Sequence, residues 1–326
     1  MINFAVIGTS NITYEFVTAA IKSGRYNLSA VYSRTEQKGK DFADKFGCKT
    51  VYTSLLDLGN DKQITTVYIA SPNGLHYEQS KLMLEFGKNV ICEKTITEHP
   101  KQYKELKTLA DKKSLIYVDA IMSRYSFGRE AIKNAIKEIG NITLARIDFS
   151  KFSARYIDYK NGEDVNIFNM ALGGGALMDL GIYCVYAAVD LFGMPNTITA
   201  FANFLRDGAD GGGTAVFNYD GFDAVLTYSK LGEGVLGSEI IGDKGAVKIA
   251  KIGQFIEVSL ITKDTTKQLV GTLPKIEVMM GEVVAFADFI ENASRNAQIY
   301  DDISQLTYNV LLCMEEIKSA ANIKYR

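Results

Sequence analysis

The chain opens on an apolar run over residues 2–7 that stops at Gly8, and a helix pattern follows over residues 14–23. No other feature constrains the fold as much. An apolar strand covered on both faces, a glycine and then a helix form the first half of a βαβ unit, and such units build parallel sheets. The alternation continues. Residues 28–32, 66–70, 89–92 and 115–119 read as strands two to five. Between them, helix patterns occupy residues 37–46, 77–86 and 100–112, and Gly24, Gly47 and Gly87 stop three of the helices. The spacing predicts an α/β domain over residues 1–122, built on a doubly wound parallel sheet.

Past residue 122 the period changes. After one more helix at 127–138 come two-residue alternations at 143–152, 197–205, 214–219, 223–228, 238–241, 246–249 and 255–260. Turn signals separate several of them: Asp210-Gly211-Gly212-Gly213, Asp220-Gly221 and Asp243-Lys244-Gly245. Residues 123–326 are therefore expected to form an α+β domain around a mostly antiparallel, open sheet. A helix at 176–192 is apolar on nearly every side, which demands burial. Two last helices are expected at 279–293 and 303–321. Ala200, Ala202 and Phe204, with Val225 and Thr227, are expected to line an uncovered apolar sheet face.

Charge narrows the function. Lys and Arg number 36 against 38 Asp and Glu, a net charge of −2. A nucleic-acid binder needs a basic surface, and a membrane-surface protein a polybasic patch, so neither partner is expected. Cys48, Cys92, Cys184 and Cys313 lie at no metal-ligand or CxxC spacing, and His76 and His99 are the only histidines, so no metal site is expected. The N-terminus has no basic, long apolar leader, and no run reaches the ~18 uninterrupted apolar residues of a span. A cytoplasmic protein with reduced thiols is expected.

Three places can carry chemistry. Gly8-Thr9-Ser10-Asn11-Ile12-Thr13 follows the first strand, where a small residue lets the amides at Ser10, Asn11 and Ile12 approach a pyrophosphate. The pattern is Gly-x-Ser-x-x-Thr, so the turn by itself leaves an ordinary connection open. At the end of the second strand, a carboxylate would suit the ribose 2′-OH of NAD. Ser33, Arg34 and Lys38 instead offer a hydroxyl and cations to the 2′-phosphate of NADP. NADP is favoured, and Glu36 keeps NAD open. Finally, Gly173-Gly174-Gly175 precede the apolar helix. Asp179 and Tyr183 are four residues apart on it and share one face, as a proton-transfer pair would.

With these belong Ala70-Ser71-Pro72-Asn73-Gly74-Leu75-His76, Glu93-Lys94-Thr95, Arg124 after the fifth strand, and Gly242-Asp243-Lys244-Gly245. In this order and spacing the chain resembles the Gfo/Idh/MocA family of nicotinamide-dependent oxidoreductases, over nearly its whole length. Tyr183, where many members have His, resembles the branch that holds dimeric dihydrodiol dehydrogenase and xylose dehydrogenase. The resemblance implies an N-terminal Rossmann domain, a substrate domain, and a homodimer formed through the C-terminal sheet. It also implies Lys94 and Tyr183 as the catalytic pair, assisted by Asp179. For the cofactor it implies Gly8, Ser10, Asn11, Ile12, Ser33, Arg34, Lys38, Ser71, Pro72, Asn73, His76, Glu93, Lys94 and Arg124.

The implied reaction moves a hydride between NADP and a carbinol carbon of a small-molecule sugar, polyol or vicinal diol. An NAD-dependent sugar or inositol dehydrogenase and a non-catalytic NADP-binding sensor are the alternatives. The chain departs from the family pattern at Ser10 and Thr13, where it has glycines. It departs again at Thr95, where it has Pro and where a trans bond is expected here, and at Ser123, where it has an aromatic. Specificity is assigned to residues 153–169 and 204–213. Tyr156 and Tyr159 are expected there in a solvated loop, with Asn169 available to substrate hydroxyls.

Overall fold

The computed structural model describes residues 1–324. It forms two compact units: residues 1–120 with 274–305, and residues 121–273 with 306 onward.

The first unit holds six parallel strands: β1 (Ile2–Ile7), β2 (Tyr26–Tyr32), β3 (Val51–Tyr52), β4 (Thr66–Ile69), β5 (Asn89–Glu93) and β6 (Tyr117–Ala120). Their order is β3-β2-β1-β4-β5-β6. Strand order reverses between β1 and β4, and in such sheets the crevice beyond the carboxyl ends of those strands is where ligands bind. Every residue of β4 is buried, which accounts for its unbroken apolar run. Phe16 stacks on Tyr68 at 3.7 Å between ring centroids in the core. β3 escapes the sequence reading because two half-buried residues make no pattern.

Residues 274–305 pack with this unit, although the sequence division at 122 assigns them to the second. Helix Lys275–Glu291 buries Val278, Met279, Val283 and Phe286 and lies along helix Asn11–Lys22. The Tyr26 hydroxyl donates to the Val283 carbonyl at 3.0 Å, and Arg25 pairs with Asp288 at 2.8 Å and with Glu291. An amphipathic helix does not declare in its sequence which sheet it returns to.

The second unit has eight strands: β7 (Ile142–Ser150), β8 (Thr197–Phe204), β9 (Asp210–Tyr219), β10 (Phe222–Ser229), β11 (Ser238–Gly242), β12 (Gly245–Lys251), β13 (Ile256–Thr262) and β14 (Thr266–Val270). The order is β14-β13-β12-β11-β7-β10-β9-β8. The β7–β10 pair is parallel and the others are antiparallel. Asp210–Gly213, read as a turn, is instead the start of β9, and the hairpin turns at 206–208. Its glycines serve close packing: a Cβ on Gly213 would stand 2.5 Å from the Tyr228 hydroxyl.

The apolar helix begins as a π-turn, Leu177–Gly181, and continues as an α-helix over Ile182–Phe192. By length and composition Met170–Phe192 could cross a membrane, but 72% of its apolar window is buried inside the protein. It packs on β7 and β10. The outer face of the sheet differs from expectation. The register Ala200↔Ala215↔Leu226 turns Ala200 inward, where it is 3% exposed. Ala202 follows it inward by the two-residue period. The outer face carries Val225 and Thr227 as expected, but Phe201 and Val216 in place of the alanines, among Thr199, Arg146, Glu239 and Lys248. Phe204 is exposed beyond a register shift at Asn203.

Candidate active site

In the first unit, β1 delivers the chain to Gly8 at φ +111°, where a Cβ would lie 2.6 Å from the Ala70 carbonyl oxygen. Only glycine fits this close approach of two strand ends. Helix Asn11–Lys22 follows, and no side chain caps its N-terminus. The hydroxyls of Ser10 and Thr13 bond to each other at 3.2 Å instead, which leaves the first amides of the helix to an anion. This turn fits a pyrophosphate despite its missing glycines.

At the end of β2, Ser33 is buried and its Oγ accepts from the Thr35 amide at 3.4 Å. Arg34 and Lys38 are exposed. Glu36 pairs with Lys40 at 2.7 Å, four residues on, so its carboxylate is engaged away from the strand end.

The loop after β4 is tied from beneath. Ser71 Oγ donates to Gln79 Oε1 at 2.7 Å. The fully buried His76 has its ring nitrogens 2.8 Å from the carbonyls of Thr95 and Ser71. A neutral imidazole donates to one of these two carbonyls, so His76 ties the Ser71-Pro72-Asn73 loop to the loop after β5. Burial pulls its pKa down, and the two carbonyls oppose that shift. At the end of β5, the buried Glu93 accepts at Oε1 from the Tyr68 hydroxyl at 2.6 Å, and burial raises its pKa. Lys94 follows, half-buried. The Lys94–Thr95 peptide bond is cis, not the expected trans.

In the second unit, Arg124 is half-buried in the short helix Met122–Tyr125, beside a buried Ser123. Asp190 is held by Arg129 at 2.5 Å and Lys133 at 3.2 Å. Although burial opposes it, these cations and Arg124 lower the Asp190 pKa.

The glycine run does mechanical work. A Cβ on Gly174 would meet the Asn169 amide nitrogen at 2.7 Å, and Gly173 and Gly175 take positive φ. The chain then enters the π-turn with its Leu177 amide donating to Asp210 Oδ2 at 2.6 Å. Asp210 is fully buried, and burial pushes its pKa up to about 7. Asp179 lies on the π-turn and pairs with Lys230, itself only 4% exposed. Tyr183, one turn later, is half-buried, with its ring edge-on to Phe149 at 5.3 Å.

A cavity of about 1020 Å³ in this unit is lined by Tyr159, Phe168, Asn169, Phe204 and Asp207 among others. It draws on both segments assigned to specificity. Tyr156 and Tyr159 are not in a solvated loop. Helix Arg155–Lys160 carries them, and Tyr159 is buried against Phe168, Val165 and Ala209. Asn169 is exposed, and its side chain accepts from the Ala171 amide at 3.0 Å. Sequence reasoning missed Lys230 and Asp210. No local signal marked Asp210, because the amide it accepts from lies 33 residues away and the glycines after it read as a turn. All four cysteines are buried and free. Among the described residues no group of three or more His, Cys, Asp or Glu is placed to hold a metal ion.

The strand–glycine–helix cradle and the order of the parallel sheet define a Rossmann-type dinucleotide-binding fold. Residues 2–120 match the model of the oxidoreductase family with an NAD-binding Rossmann fold, and residues 129–248 match the GFO/IDH/MocA C-terminal domain. The chain belongs to the GFO/IDH/MocA family of oxidoreductases. It is 35% identical to the uncharacterized oxidoreductase YgjR of Escherichia coli, over 89% of each chain. It is 31% identical to scyllo-inositol 2-dehydrogenase (NADP(+)) IolU of Bacillus subtilis, over 100% of this chain and 98% of that one. The crystal structure of KijD10, a 3-ketoreductase from Actinomadura kijaniata with NADP and TDP-benzene, has the same fold at TM-score 0.86 and 22% identity, covering 98% of both chains.

Proposed function

We propose that the protein is an NADP-dependent dehydrogenase that interconverts a secondary alcohol of a cyclic polyol or sugar with its ketone. The observation that carries the reading is the helix turn that places Asp179, paired with a buried lysine, one turn before a half-buried Tyr183. Asp179 keeps 41% of its side chain exposed while its partner Lys230 is buried, and a packing helix has no need of such a pair, because burying the lysine charge is costly. A non-catalytic sensor has no use for that arrangement either.

NADP supplies the hydride chemistry when bound, and the protein's share is binding and proton handling. The amides after Gly8 hold the pyrophosphate. Arg34, Lys38 and the Ser33 hydroxyl would hold the 2′-phosphate, and the pairing of the exposed Glu36 with Lys40 is in keeping with that reading. Tyr183 takes the proton from the reacting hydroxyl or returns it to the carbonyl. An ordinary Tyr titrates near 10, so the role of Lys94 is to supply positive charge and to hold the reacting oxygen. Asp179 fixes a donor or a neighbouring hydroxyl. The cavity beside Tyr159 and Phe168 is lined by none of Lys94, Asp179 and Tyr183, so the choice of a polyhydroxylated ring rests on the relatives. The relation to a scyllo-inositol dehydrogenase over the whole chain supports the same substrate class.

The protein is further proposed to work in the cytoplasm, which its free thiols support. It is proposed to pair as a homodimer through the outer sheet face that carries Phe201. A species of 36.0 kDa by light scattering would remove the dimer.

The test of function is a spectrophotometric screen of NADP(H) and NAD(H) against inositols, aldoses, dihydrodiols and their ketones. Tyr183→Phe serves as the control. The expected result is NADP-linked turnover that falls ~10²–10⁴-fold in the variant. Near-full activity of Tyr183→Phe would refute the assignment.

A further inference from the structure

Lys230 is the least expected charge in the second unit. It follows β10 and is 4% exposed, and its ammonium pairs with Asp179. Its backbone is fixed on both sides: its amide donates to the Gly211 carbonyl at 2.9 Å, and its carbonyl accepts from the Ser153 amide at 3.0 Å. A lysine buried this deeply is tolerated only when paired. One residue before Gly211 stands Asp210, also buried, whose Oδ2 accepts from the Leu177 amide at 2.6 Å.

Two adjoining places on paired strands thus grip one helix turn at two points. Asp210 holds its first amide, and Lys230 holds the carboxylate two residues on. The gripped turn is the π-turn Leu177–Gly181. A π-turn accommodates an extra residue, so it rotates everything after it relative to an α-helix. The directions of Asp179 and Tyr183 therefore depend on this turn keeping its form. It is pressed against β10 as well, since a Cβ on Gly181 would lie 3.1 Å from the Tyr228 ring.

We propose that Lys230 and Asp210 form a two-point clamp on this π-turn and act as positioning residues for Asp179 and Tyr183. The inference rests on the dehydrogenase reading for its effect on turnover, but not for its effect on the turn. A misplacement of about 1 Å in reacting groups costs ~10²-fold in rate. Loss of the clamp acts on kcat and leaves dinucleotide affinity unchanged, because the turn after Gly8 and the residues Ser33, Arg34 and Lys38 are in the first unit. A purely structural role would lower stability and leave kcat of the folded enzyme intact.

The experiment uses the full-length enzyme with Lys230→Met, Lys230→Arg and Asp210→Ala. Three quantities are measured: amide hydrogen exchange over residues 177–183, NADPH affinity, and steady-state kinetics on the substrate found in the screen. In Lys230→Met, faster exchange over 177–183, a kcat ~10²-fold lower and an unchanged NADPH Kd are expected. Lys230→Arg keeps the charge and recovers most of kcat. Unchanged exchange, or unchanged kcat in a folded Lys230→Met enzyme, overturns the clamp. If Lys230→Met does not fold, Asp210→Ala opens the other jaw and is read against the same outcomes. If the wild type binds NADPH but turns over no alcohol or ketone, the dehydrogenase reading fails. The exchange data then decide the clamp alone.

Discussion

Replacing Asp210 by Asn should change how stability depends on pH, and the structure sets the size of the change. Burial raises the Asp210 carboxyl from 3.8 to about 7, against the opposing pull of the Leu177 amide and the Lys230 charge. In the unfolded chain the same group ionises near 3.8. Between those values the folded state holds one more proton than the unfolded state. Wild-type stability must therefore fall as pH rises through this window. The slope is about 1.4 kcal/mol per pH unit, or about 4 kcal/mol across the window, and it levels off above pH ~7.

Asp210→Asn carries no titrating group. Its amide oxygen can still accept from Leu177, so the turn keeps its cap. Asp210 Oδ1 has no hydrogen-bond partner. Placing an amide NH₂ there imposes a penalty of about 1–3 kcal/mol that does not vary with pH. The assay is guanidinium unfolding of both proteins from pH 4.5 to 8. It is followed by far-UV circular dichroism, since the chain has no Trp. The difference in unfolding free energy should move in favour of the variant with rising pH, then stay constant above neutrality. Parallel curves over the whole range would refute the buried-carboxyl argument.

Arg34→Ala removes a charge-assisted contact to the 2′-phosphate, so NADPH affinity should fall about 10–100-fold. NADH affinity should hardly change, and titrations of both cofactors check this. Gly8→Ala would drive a Cβ into the Ala70 carbonyl at a φ of +111°. NADPH should then give the variant little of the thermal stabilisation it gives the wild type. Glu282 is 1% exposed, and both of its carboxylate oxygens lack hydrogen-bond partners. Burial first, then Glu93 and Asp119, hold its pKa well above the usual carboxylate range. It too keeps its proton in the folded state after the unfolded chain has lost it, so stability falls with rising pH. Glu282→Gln should gain in Tm relative to wild type between pH 5 and pH 8, and a constant difference would argue against the shift.

The first unit was legible because its strands are buried on both faces and punctuated by glycine. The residues from Gly8 to Ser33 could be placed from pattern alone. The return of residues 274–305 could not, because an amphipathic helix records that one face is covered but not by what. The phase of β8 was misjudged because alanines and threonines alternate there with little contrast between faces. At the candidate site, Asp179 and Tyr183 stood out as polar groups in an apolar helix. The residues that hold them did not. Lys230 lies at a strand end, where lysine is ordinary, and the glycines after Asp210 look like a turn until the cross-strand register is known. Similarly, the pairing of Glu36 with Lys40 is not declared by the sequence alone.

The chain passes between its two compact units at three places: after Ala120, before Pro274 and after Gln305. The second unit is thus spliced into the one with the NAD-binding Rossmann fold rather than appended to it. A gene fragment ending at residue 122 would encode all six parallel strands, yet it would leave helix Asn11–Lys22 without the cover of helix Lys275–Glu291. It would be expected to aggregate. Moving the second unit onto a relative therefore means exchanging residues 121–273 together with the segment from 306 onward, across three matched seams rather than one.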